Sequence, residues 1–286
     1  MSKVYFITGA SSGFGAALAR AVLERGDRAI LTARRADALE AIAAAHGERA
    51  LVVPLDVTDA AQRQHAIRQA SDRFGRIDVL ANIAGQGSLG AAEEFAPEQL
   101  RTQMEVNFFA AAELTREMLP VFRTQRSGTI VQLTSIGGSV SVGGFSIYCA
   151  SKFALEGWSE ALRDEVKPLG IRVIIVEPGA FRTEFAGGAN MRPAAQIDAY
   201  RPVIEPIEAY LYGGHGSQPG DPAKAAAVMI DAIESDDPPL RLVLGADSYA
   251  AWDAKIAAVR ADLDAWRERG MATAFPDAEV KPVGGG

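Results

Sequence analysis

The chain alternates between short apolar runs rich in Val, Ile and Leu and longer alanine-rich stretches of helical character. The short runs are too apolar to be half-exposed strands, which predicts a parallel sheet covered by helices on both faces. Repeated strand–helix units imply right-handed crossovers and a doubly wound α/β sheet. Seven strands are predicted, at Val4–Thr8, Ala29–Thr32, Ala50–Pro54, Val79–Asn82, Thr129–Thr134, Arg172–Glu177 and Arg241–Leu244.

The stretches between and after the strands predict the helices. Asp59 and Asp221 suit N-cap positions, and Gly26, Gly75 and Gly170 suit positions that close a helix. The predicted helices are Phe14–Arg25, Ala36–Ala45, Ala60–Phe74, Pro97–Arg123, Ile147–Lys167, Pro222–Glu234 and Ser248–Arg269.

One segment breaks this rhythm. Residues 180–220 are rich in glycine, proline and aromatic side chains and lie between the sixth and seventh strands. A long irregular segment in a compact domain is usually functional, so we interpret it as a substrate lid, with a mobile surface excursion as the alternative. We therefore expect one domain over residues 1–245, followed at 246–286 by a helix and a flexible Gly-rich tail.

The composition narrows the function classes. The 286 residues carry a net charge of −7, which argues against a nucleic-acid groove or an anionic membrane surface. Cys149 is the single cysteine, and His46, His65 and His215 have no metal-ligand spacing, so no disulfide and no metal site are expected. No apolar stretch approaches 18 residues, and the N-terminal run is too short for a signal peptide, so a cytoplasmic location is expected.

A glycine-rich turn follows the first predicted strand, at Thr8-Gly9-Ala10-Ser11-Ser12-Gly13-Phe14-Gly15. Gly9 allows a sharp turn, Gly13 lets the backbone approach a pyrophosphate, and Gly15 permits close helix–strand packing. The helix that follows presents free N–H groups to an anion. The position between a strand and a helix predicts dinucleotide binding, and a tight turn without a ligand is the alternative.

Two arginines indicate which dinucleotide. An NAD-selective site places an acid at the end of the second strand, to bind the ribose 2′-hydroxyl. Here Arg34 and Arg35 stand at that point, and Asp37 is the first acid beyond them. Guanidinium groups suit a 2′-phosphate, so we predict NADP(H), with NAD(H) as the alternative cofactor. The two arginines could also simply begin a solvated helix.

The candidate reaction centre is Tyr148 with Lys152, four residues apart on one face of a predicted helix. Ser135 lies thirteen residues before the tyrosine. An ammonium beside the phenol is expected to lower the pKa of Tyr148 towards neutrality, which suits a general acid and base. Taken alone, the spacing also fits an amphipathic helix in which the pair occurs by chance.

Together these motifs make residues 3–245 resemble the short-chain dehydrogenase/reductase family. The family's catalytic tetrad matches Asn107, Ser135, Tyr148 and Lys152, and its fourth-strand motif reads Asn82-Ile83-Ala84-Gly85, with Ile83 in place of the usual second Asn. In the family, the asparagine of the tetrad sits at a helix irregularity. The implied cofactor-binding residues are Gly9, Ser11, Ser12, Gly13, Phe14, Gly15, Arg34, Arg35, Asp56, Val57, Asn82, Ala84, Gly85, Tyr148, Lys152, Pro178, Gly179 and Thr183.

The resemblance implies a Rossmann-type fold and an NADP(H)-dependent oxidoreductase that interconverts a carbonyl and an alcohol. Tyr148 would be its general acid and base, and side chains such as Phe145, Phe181 and Phe185 favour an apolar substrate. The main alternative is a catalytically silent nucleotide-binding sensor or scaffold. An epimerase or dehydratase acting on a nucleotide sugar is weaker, because the glycine spacing differs.

The resemblance also implies self-association. Family members commonly pair as homodimers or homotetramers through two helices, here Pro97–Arg123 and Ile147–Lys167. The C-terminal helix, with Trp252 and Trp266, would cover either a subunit edge or the active site of its own chain.

Overall fold

Seven parallel strands form one sheet in the order β3-β2-β1-β4-β5-β6-β7. The structure is a computed structural model and describes residues 2–187 and 190–278. The strands are β1 (Val4–Ile7), β2 (Arg28–Ala33), β3 (Ala50–Pro54), β4 (Val79–Asn82), β5 (Gly128–Leu133), β6 (Ile171–Pro178) and β7 (Arg241–Leu244). Each predicted strand is found to within one residue at either end, so the predicted doubly wound α/β fold is confirmed.

Helices cover both faces of the sheet. They are α1 (Gly13–Glu24), α2 (Asp37–Ala43), α3 (Ala60–Phe74), α4 (Pro97–Met104), α5 (Ala110–Gln125), α6 (Ser146–Val166), α7 (Arg201–Gly213), α8 (Pro222–Glu234) and α9 (Ala246–Met271). The predicted caps are confirmed: Asp59 Oδ1 accepts the N–H of Gln62 at 3.0 Å, and Asp221 Oδ1 accepts that of Ala223 at 2.8 Å. Gly75 closes α3 with φ of 72°.

The strand β1 shows why the apolar runs are continuous. Tyr5 and Ile7 lie in the core cluster beneath α1, α2 and α8, whereas Val4 and Phe6 lie in the cluster beneath α3, α5 and α6. Successive strand residues point to opposite faces, and here both faces are buried. A half-exposed strand would have alternated apolar with polar residues.

The strand order reverses between β1 and β4, and this opens a crevice at the carboxyl edge of the sheet. Thr8, which follows β1, ties the two turns at this edge together. Its Oγ1 accepts the N–H of Ile83 at 2.9 Å and that of Ala84 at 3.0 Å. The sheet topology therefore sets the glycine turn beside the turn that follows β4.

Two helical regions differ from the prediction. The single helix predicted at Pro97–Arg123 is interrupted by a π-helical turn at Glu105–Phe109, with α4 before it and α5 after it. The sequence predicts an irregular segment at 180–220, but this segment contains the helix α7. Pro206 inside α7 hid it from the sequence pattern, since proline removes a backbone donor and usually breaks a helix.

The C-terminal helix α9 extends away from the sheet. Its first turns are held to the body, where Ser248 is fully buried, but every residue from Ile256 to Met271 is exposed. The predicted flexible tail falls largely on residues 279–286, which lie outside the described residues. None of the described helices is long and apolar enough to span a membrane.

Candidate active site

Tyr148 and Lys152 lie in the first two turns of α6 and are both buried, with exposed fractions of 8% and 4%. Ser135 stands just beyond β5, where its Oγ accepts the N–H of Gly137 at 3.0 Å. A Cβ placed on Gly137 would lie 3.1 Å from Cε1 of Tyr148 and 3.4 Å from Oγ of Ser135. Tyr148 and Ser135 therefore border the same backbone position.

The pKa of Tyr148 does not move as predicted. Burial raises the pKa of Tyr148 above its usual value, and the neighbouring Ser135 hydroxyl only partly opposes this effect. Lys152 is not among the groups that shift the pKa of Tyr148, and its Nζ lies 6.0 Å from the centre of the tyrosine ring. Tyr148 is consequently a protonated phenol at neutral pH, which equips it to donate a proton.

Lys152 is held by the sheet rather than by the tyrosine. Its Nζ donates a hydrogen bond of 2.8 Å to the carbonyl oxygen of Leu133, the last residue of β5. Burial lowers the pKa of Lys152 to about 8, and Glu156, one turn further along α6, acts in the opposite direction. The charge of Lys152 is therefore sensitive to pH near neutrality.

Asn107 lies inside the π-helical turn, which agrees with the helix irregularity implied by the resemblance. Its Oδ1 accepts the N–H of Gln86 at 2.9 Å, and its Nδ2 donates to the Gln86 carbonyl oxygen and to Ser151 Oγ, both at 3.0 Å. A Cβ on Gly85 would lie 3.1 Å from Asn107 Oδ1 and 3.6 Å from Lys152 Nζ. The turn after β4 thus brings Asn107 and Lys152 together, and the whole predicted tetrad converges on α6.

The glycine turn has the backbone that its sequence predicts. Gly9 and Gly13 have φ of 65° and 51°, a region that side chains with a Cβ avoid. A Cβ on Gly15 would collide with the carbonyl oxygen of Gly9, and one on Gly9 would lie 3.0 Å from Cα of Ala84. Ser12 is the N-cap of α1 but makes no side-chain capping hydrogen bond. The first N–H groups of α1 are therefore available to an anion.

The turn after β4 uses its side chains for structure. Asn82 is buried, and its Nδ2 donates to Thr115 Oγ1 at 2.9 Å and to Gln132 Oε1 at 3.0 Å. Both N–H groups of this amide are therefore used within the protein, and the cofactor contact predicted for Asn82 stays a prediction. Ile83 lies in the core cluster under α1, so its apolar side chain is accounted for by packing.

The remaining predicted cofactor residues line the same edge. Arg34 and Arg35 are exposed directly after β2, beside the glycine turn, where the N–H of Ala10 bonds to the carbonyl of Thr32 at 3.0 Å. Beyond β3, Asp56 Oδ1 accepts hydrogen bonds from the backbone N–H and the hydroxyl of Thr58, at 3.0 and 2.7 Å. Thr8, Val57, Asn82 and Ala84 surround one small hollow at this edge.

Pro178 ends β6, and the segment after it closes over the glycine turn. A Cβ on Gly13 would lie 3.2 Å from Cβ of Thr183. Asp247, on α9, was missed by the sequence reasoning: its Oδ2 accepts the N–H of Ala180 at 2.7 Å, and a Cβ on Gly179 would collide with its carboxylate. The sequence shows an acid in the first turn of a predicted helix. It does not show that this acid binds a backbone N–H 67 residues away.

Apolar rings pack around Tyr148. The ring centre of Phe185, in segment 180–220, lies 5.3 Å from that of Tyr148, and the ring centre of Phe145 lies 6.2 Å from it. Helix α7 packs on the adjoining loop, where a Cβ on Gly144 would lie 3.2 Å from Cδ1 of Ile204. Phe181 instead packs on Phe14, at 5.0 Å between ring centres.

These residues place a buried, protonated phenol, a serine hydroxyl and a buried lysine at the same edge of the sheet as a helix terminus with free N–H groups. Such a site can bind a dinucleotide and protonate an oxygen beside it. Among residues 2–187 and 190–278, no group of three His, Cys, Asp or Glu side chains is placed to hold a metal ion.

Comparison with known proteins agrees with this geometry. Residues 3–193 match the short chain dehydrogenase family model. The chain is 36% identical over 277 residues to Oxidoreductase BOA17 of Botryotinia fuckeliana, covering 96% of this chain and 100% of the relative. It superposes on the crystal structure of a short-chain dehydrogenase from Streptomyces avermitilis with a TM-score of 0.90 and 44% identity, covering 96% and 100% of the two chains. The chain belongs to the short-chain dehydrogenase family.

It is accordingly an oxidoreductase that acts with NAD(P). Two further solved structures illustrate the cofactor, each with a TM-score of 0.71 and 26% identity. A short chain dehydrogenase from Burkholderia cenocepacia, matched over 92% of this chain and 96% of its own, is in complex with NADP. A 3-ketoacyl-(acyl-carrier-protein) reductase from Brucella melitensis, matched over 84% and 96%, is complexed with NADH.

Proposed function

We propose that this protein interconverts a ketone or aldehyde and the corresponding alcohol, with NADP(H) as cofactor and Tyr148 as the general acid and base. The observation that carries the proposal is the buried, protonated Tyr148 beside Ser135, at the end of a crevice that begins at the glycine turn. When bound, the reduced cofactor supplies a hydride to the carbonyl carbon. The chain's own residues supply position, a proton and an electrostatic field.

The glycine turn fits the pyrophosphate of such a cofactor. Gly13 lacks the Cβ that would crowd the approach of the pyrophosphate, Gly15 lets α1 pack against the backbone of Gly9, and the uncapped N-terminus of α1 offers N–H donors. Thr183 lies against Gly13 and would contact the nicotinamide end of the cofactor. Ser11 and Ser12 add hydroxyl groups to the same turn, and Phe14 is fixed behind it by Phe181.

Arg34 and Arg35 support NADP(H) over NAD(H). They are exposed beside the glycine turn, at the position where an NAD-selective site carries an acid. A guanidinium group matches a 2′-phosphate by charge and by paired hydrogen bonds. Asp56 and Val57, beyond the neighbouring strand β3, would border the adenine.

The proton transfer follows from the tetrad. Ser135 and Tyr148 would bind the substrate oxygen, and Tyr148 would donate its proton as the alkoxide develops. The resulting phenolate is unfavourable in a buried site unless a positive charge lies near it. Lys152 supplies that charge and would also contact the nicotinamide ribose. Asn107, fixed by Gln86 and Ser151, would hold the route by which the proton is replaced.

The substrate side is apolar. Phe145 and Phe185 flank Tyr148, and the α7 residue Ile204 is buried nearby against Gly144. An apolar ketone or secondary alcohol would bury its surface there, which favours binding by about 25 cal/mol per Å². We further propose a cytoplasmic homodimer or homotetramer that uses the outer faces of α5 and α6.

A substrate panel tests the proposal. The full-length protein is mixed with NADPH or NADP and a series of ketones, aldehydes and alcohols, and the absorbance of NADPH is followed in both directions. We expect turnover of at least one apolar carbonyl or alcohol. Tight binding of NADPH without turnover of any panel member would instead favour the silent nucleotide-binding sensor or scaffold.

A further inference from the structure

Helix α9 carries an exposed apolar stripe that the redox site does not use. Ile256, Leu263 and Trp266 are exposed by 58%, 56% and 62% of their surfaces. Apolar residues recur along α9 in alternating steps of three and four. This is the heptad pattern by which two helices pack side by side. The stripe consists of Tyr249, Trp252, Ile256, Val259, Leu263 and Trp266.

The stripe is held in a fixed position at its N-terminal end. Trp252 Nε1 donates to Glu177 Oε2 at 2.6 Å, and Asp247 binds the N–H of Ala180. From there α9 leans over α6 across an open cleft of about 430 Å³. Ile256, Val259 and Leu263 line this cleft on the α9 side.

The opposite wall of the cleft is also apolar and exposed. Phe153 of α6 has 41% of its surface exposed, and Gly157 beside it meets no atom within 4 Å of the position where a Cβ would be. Large exposed apolar surfaces of this kind mark contacts with other molecules. The charged residues along α9 indicate which molecule makes this contact.

We propose that α9 is a pairing helix between two copies of this chain, with the two α9 helices antiparallel across a twofold axis. In this register Ile256 faces the partner's Val259, and Trp252 faces the partner's Leu263. Tyr249 then faces the partner's Trp266, so every member of the stripe has an apolar counterpart. A twofold axis repeats each contact, which makes the surface self-complementary.

The flanking charges fit this antiparallel register. Asp253 comes beside the partner's Arg260 on one edge of the stripe, and Lys255 comes beside the partner's Asp262 on the other. Both pairs join opposite charges, and the axis doubles each of them. A parallel arrangement would place Lys255 beside the partner's Arg260, where like charges repel, and would keep only one pair of opposite charges, Asp262 with the partner's Arg267.

The same charges disfavour a membrane as the occupant of the stripe. Helices that lie on anionic membranes carry Lys and Arg along both edges of the apolar face. Here an acid interrupts each edge: Asp253 lies on the edge of Arg260 and Arg267, and Asp262 lies between Lys255 and Arg269 on the other. An acid within each edge favours a second copy of this helix, which offers each of these acids a basic counterpart.

Sedimentation equilibrium of the full-length protein, over a range of concentrations, tests the pairing. We expect Leu263→Asp to halve the wild-type mass, because it places a carboxylate in the apolar seam. Ala261→Asp is the matched control, since Ala261 is exposed on the opposite face of α9. A wild type that is monomeric at every concentration would overturn the proposal, and so would a Leu263→Asp variant of unchanged mass.

A charge exchange tests the register. Asp253→Arg and Arg260→Asp each set like charges together at two symmetric places, so each is expected to weaken the pairing by about 10-fold. The double variant restores both pairs and should return to within about 3-fold of the wild type. Tighter pairing in Arg260→Asp would show a parallel arrangement and contradict the proposal. These measurements need no substrate, so they stand apart from the proposed redox activity.

Discussion

Lys152 Nζ donates a 2.8 Å hydrogen bond to the carbonyl oxygen of Leu133. The bond fixes the ammonium group at the end of β5 and keeps it 6.0 Å from the centre of the Tyr148 ring. In this buried place the pKa of the lysine is lowered to about 8, while burial raises the pKa of the tyrosine. Of these two groups, the lysine is the one that titrates near neutral pH.

The first prediction concerns the pH dependence of the reduction. Lys152 is charged below its pKa of about 8 and loses its charge as the pH rises through that value. Since the charge stabilises the phenolate formed at Tyr148, kcat/KM for carbonyl reduction should be level near pH 6–7, and should fall by about tenfold per pH unit well above 8. The measurement is the pH profile of kcat/KM.

Lys152→Arg serves as the control for that profile, because a guanidinium stays charged throughout this range. Its residual activity should lack the alkaline limb near pH 8. A wild-type profile that stays level up to pH 10 would refute the assignment of the limb to Lys152.

The second prediction concerns Glu156, which is buried beside Thr134 and Arg241. Burial raises the pKa of Glu156 to about 7, so the folded state holds its proton more tightly than the unfolded state does. The contribution of this carboxyl to the free energy of unfolding is fully present only below about pH 4.5. It is lost as the pH rises through 7. The free energy of unfolding of Glu156→Gln should therefore exceed that of the wild type by up to about 3 kcal/mol near pH 8.

The stability difference is measured by chemical unfolding at several pH values. The difference in the free energy of unfolding between the variant and the wild type should grow between pH 4.5 and 7. A change in local packing alone would give a difference that does not depend on pH. Glu156→Gln should also move the alkaline limb of activity to lower pH, because Glu156 raises the pKa of Lys152. A stability difference that is the same at pH 4 and pH 8 would contradict this account.

The third prediction concerns cofactor selectivity. Arg34→Asp should lower the ratio of kcat/KM with NADPH to that with NADH by about 10- to 100-fold, the range expected for one or two charge-assisted hydrogen bonds. Arg68→Asp on the exposed side of α3 makes the same charge change away from the crevice and should leave the ratio unaltered. If the ratio of kcat/KM with NADPH to that with NADH is the same in the wild type and in Arg34→Asp, then Arg34 does not bind the 2′-phosphate.

The fourth prediction concerns the glycine turn. Gly13→Ala must adopt φ near 51° and bring its Cβ to 3.2 Å from Thr183, at a cost of about 1–2 kcal/mol. We expect weaker NADPH binding by about tenfold or more, read by the fluorescence of the bound cofactor. Gly213→Ala is the control, because Gly213 meets nothing within 4 Å and has no positive φ. Equal NADPH affinity in the two variants would argue against the phosphate-binding turn.

The sequence predicted the strands and the glycine turn because their causes are local. Continuous Val and Ile runs arise from burial on both faces of a parallel sheet, and Gly13 and Gly15 occupy places where a Cβ does not fit. The tetrad positions came from spacing and from the family resemblance. These features need no knowledge of distant contacts.

The features that the sequence missed depend on contacts between distant segments. The raised pKa of Tyr148 comes from burial, and Phe185, which packs on its ring, belongs to the distant segment 180–220. The tether between Asp247 and Ala180 joins α9 to the segment after β6. Helix α7 contains Pro206, and its buried Ile204 packs against the loop at Gly144. Each of these follows from packing, which no local pattern encodes.

The most direct test of the central claim is the turnover of Tyr148→Phe with a substrate found in the panel. Removing the hydroxyl removes the proton donor and leaves the ring packed between Phe145 and Phe185. We predict that kcat falls by about 10²- to 10⁴-fold, while the Kd for NADPH changes by less than about 3-fold. A variant that keeps more than about a tenth of the wild-type kcat would contradict the role of Tyr148 as the general acid.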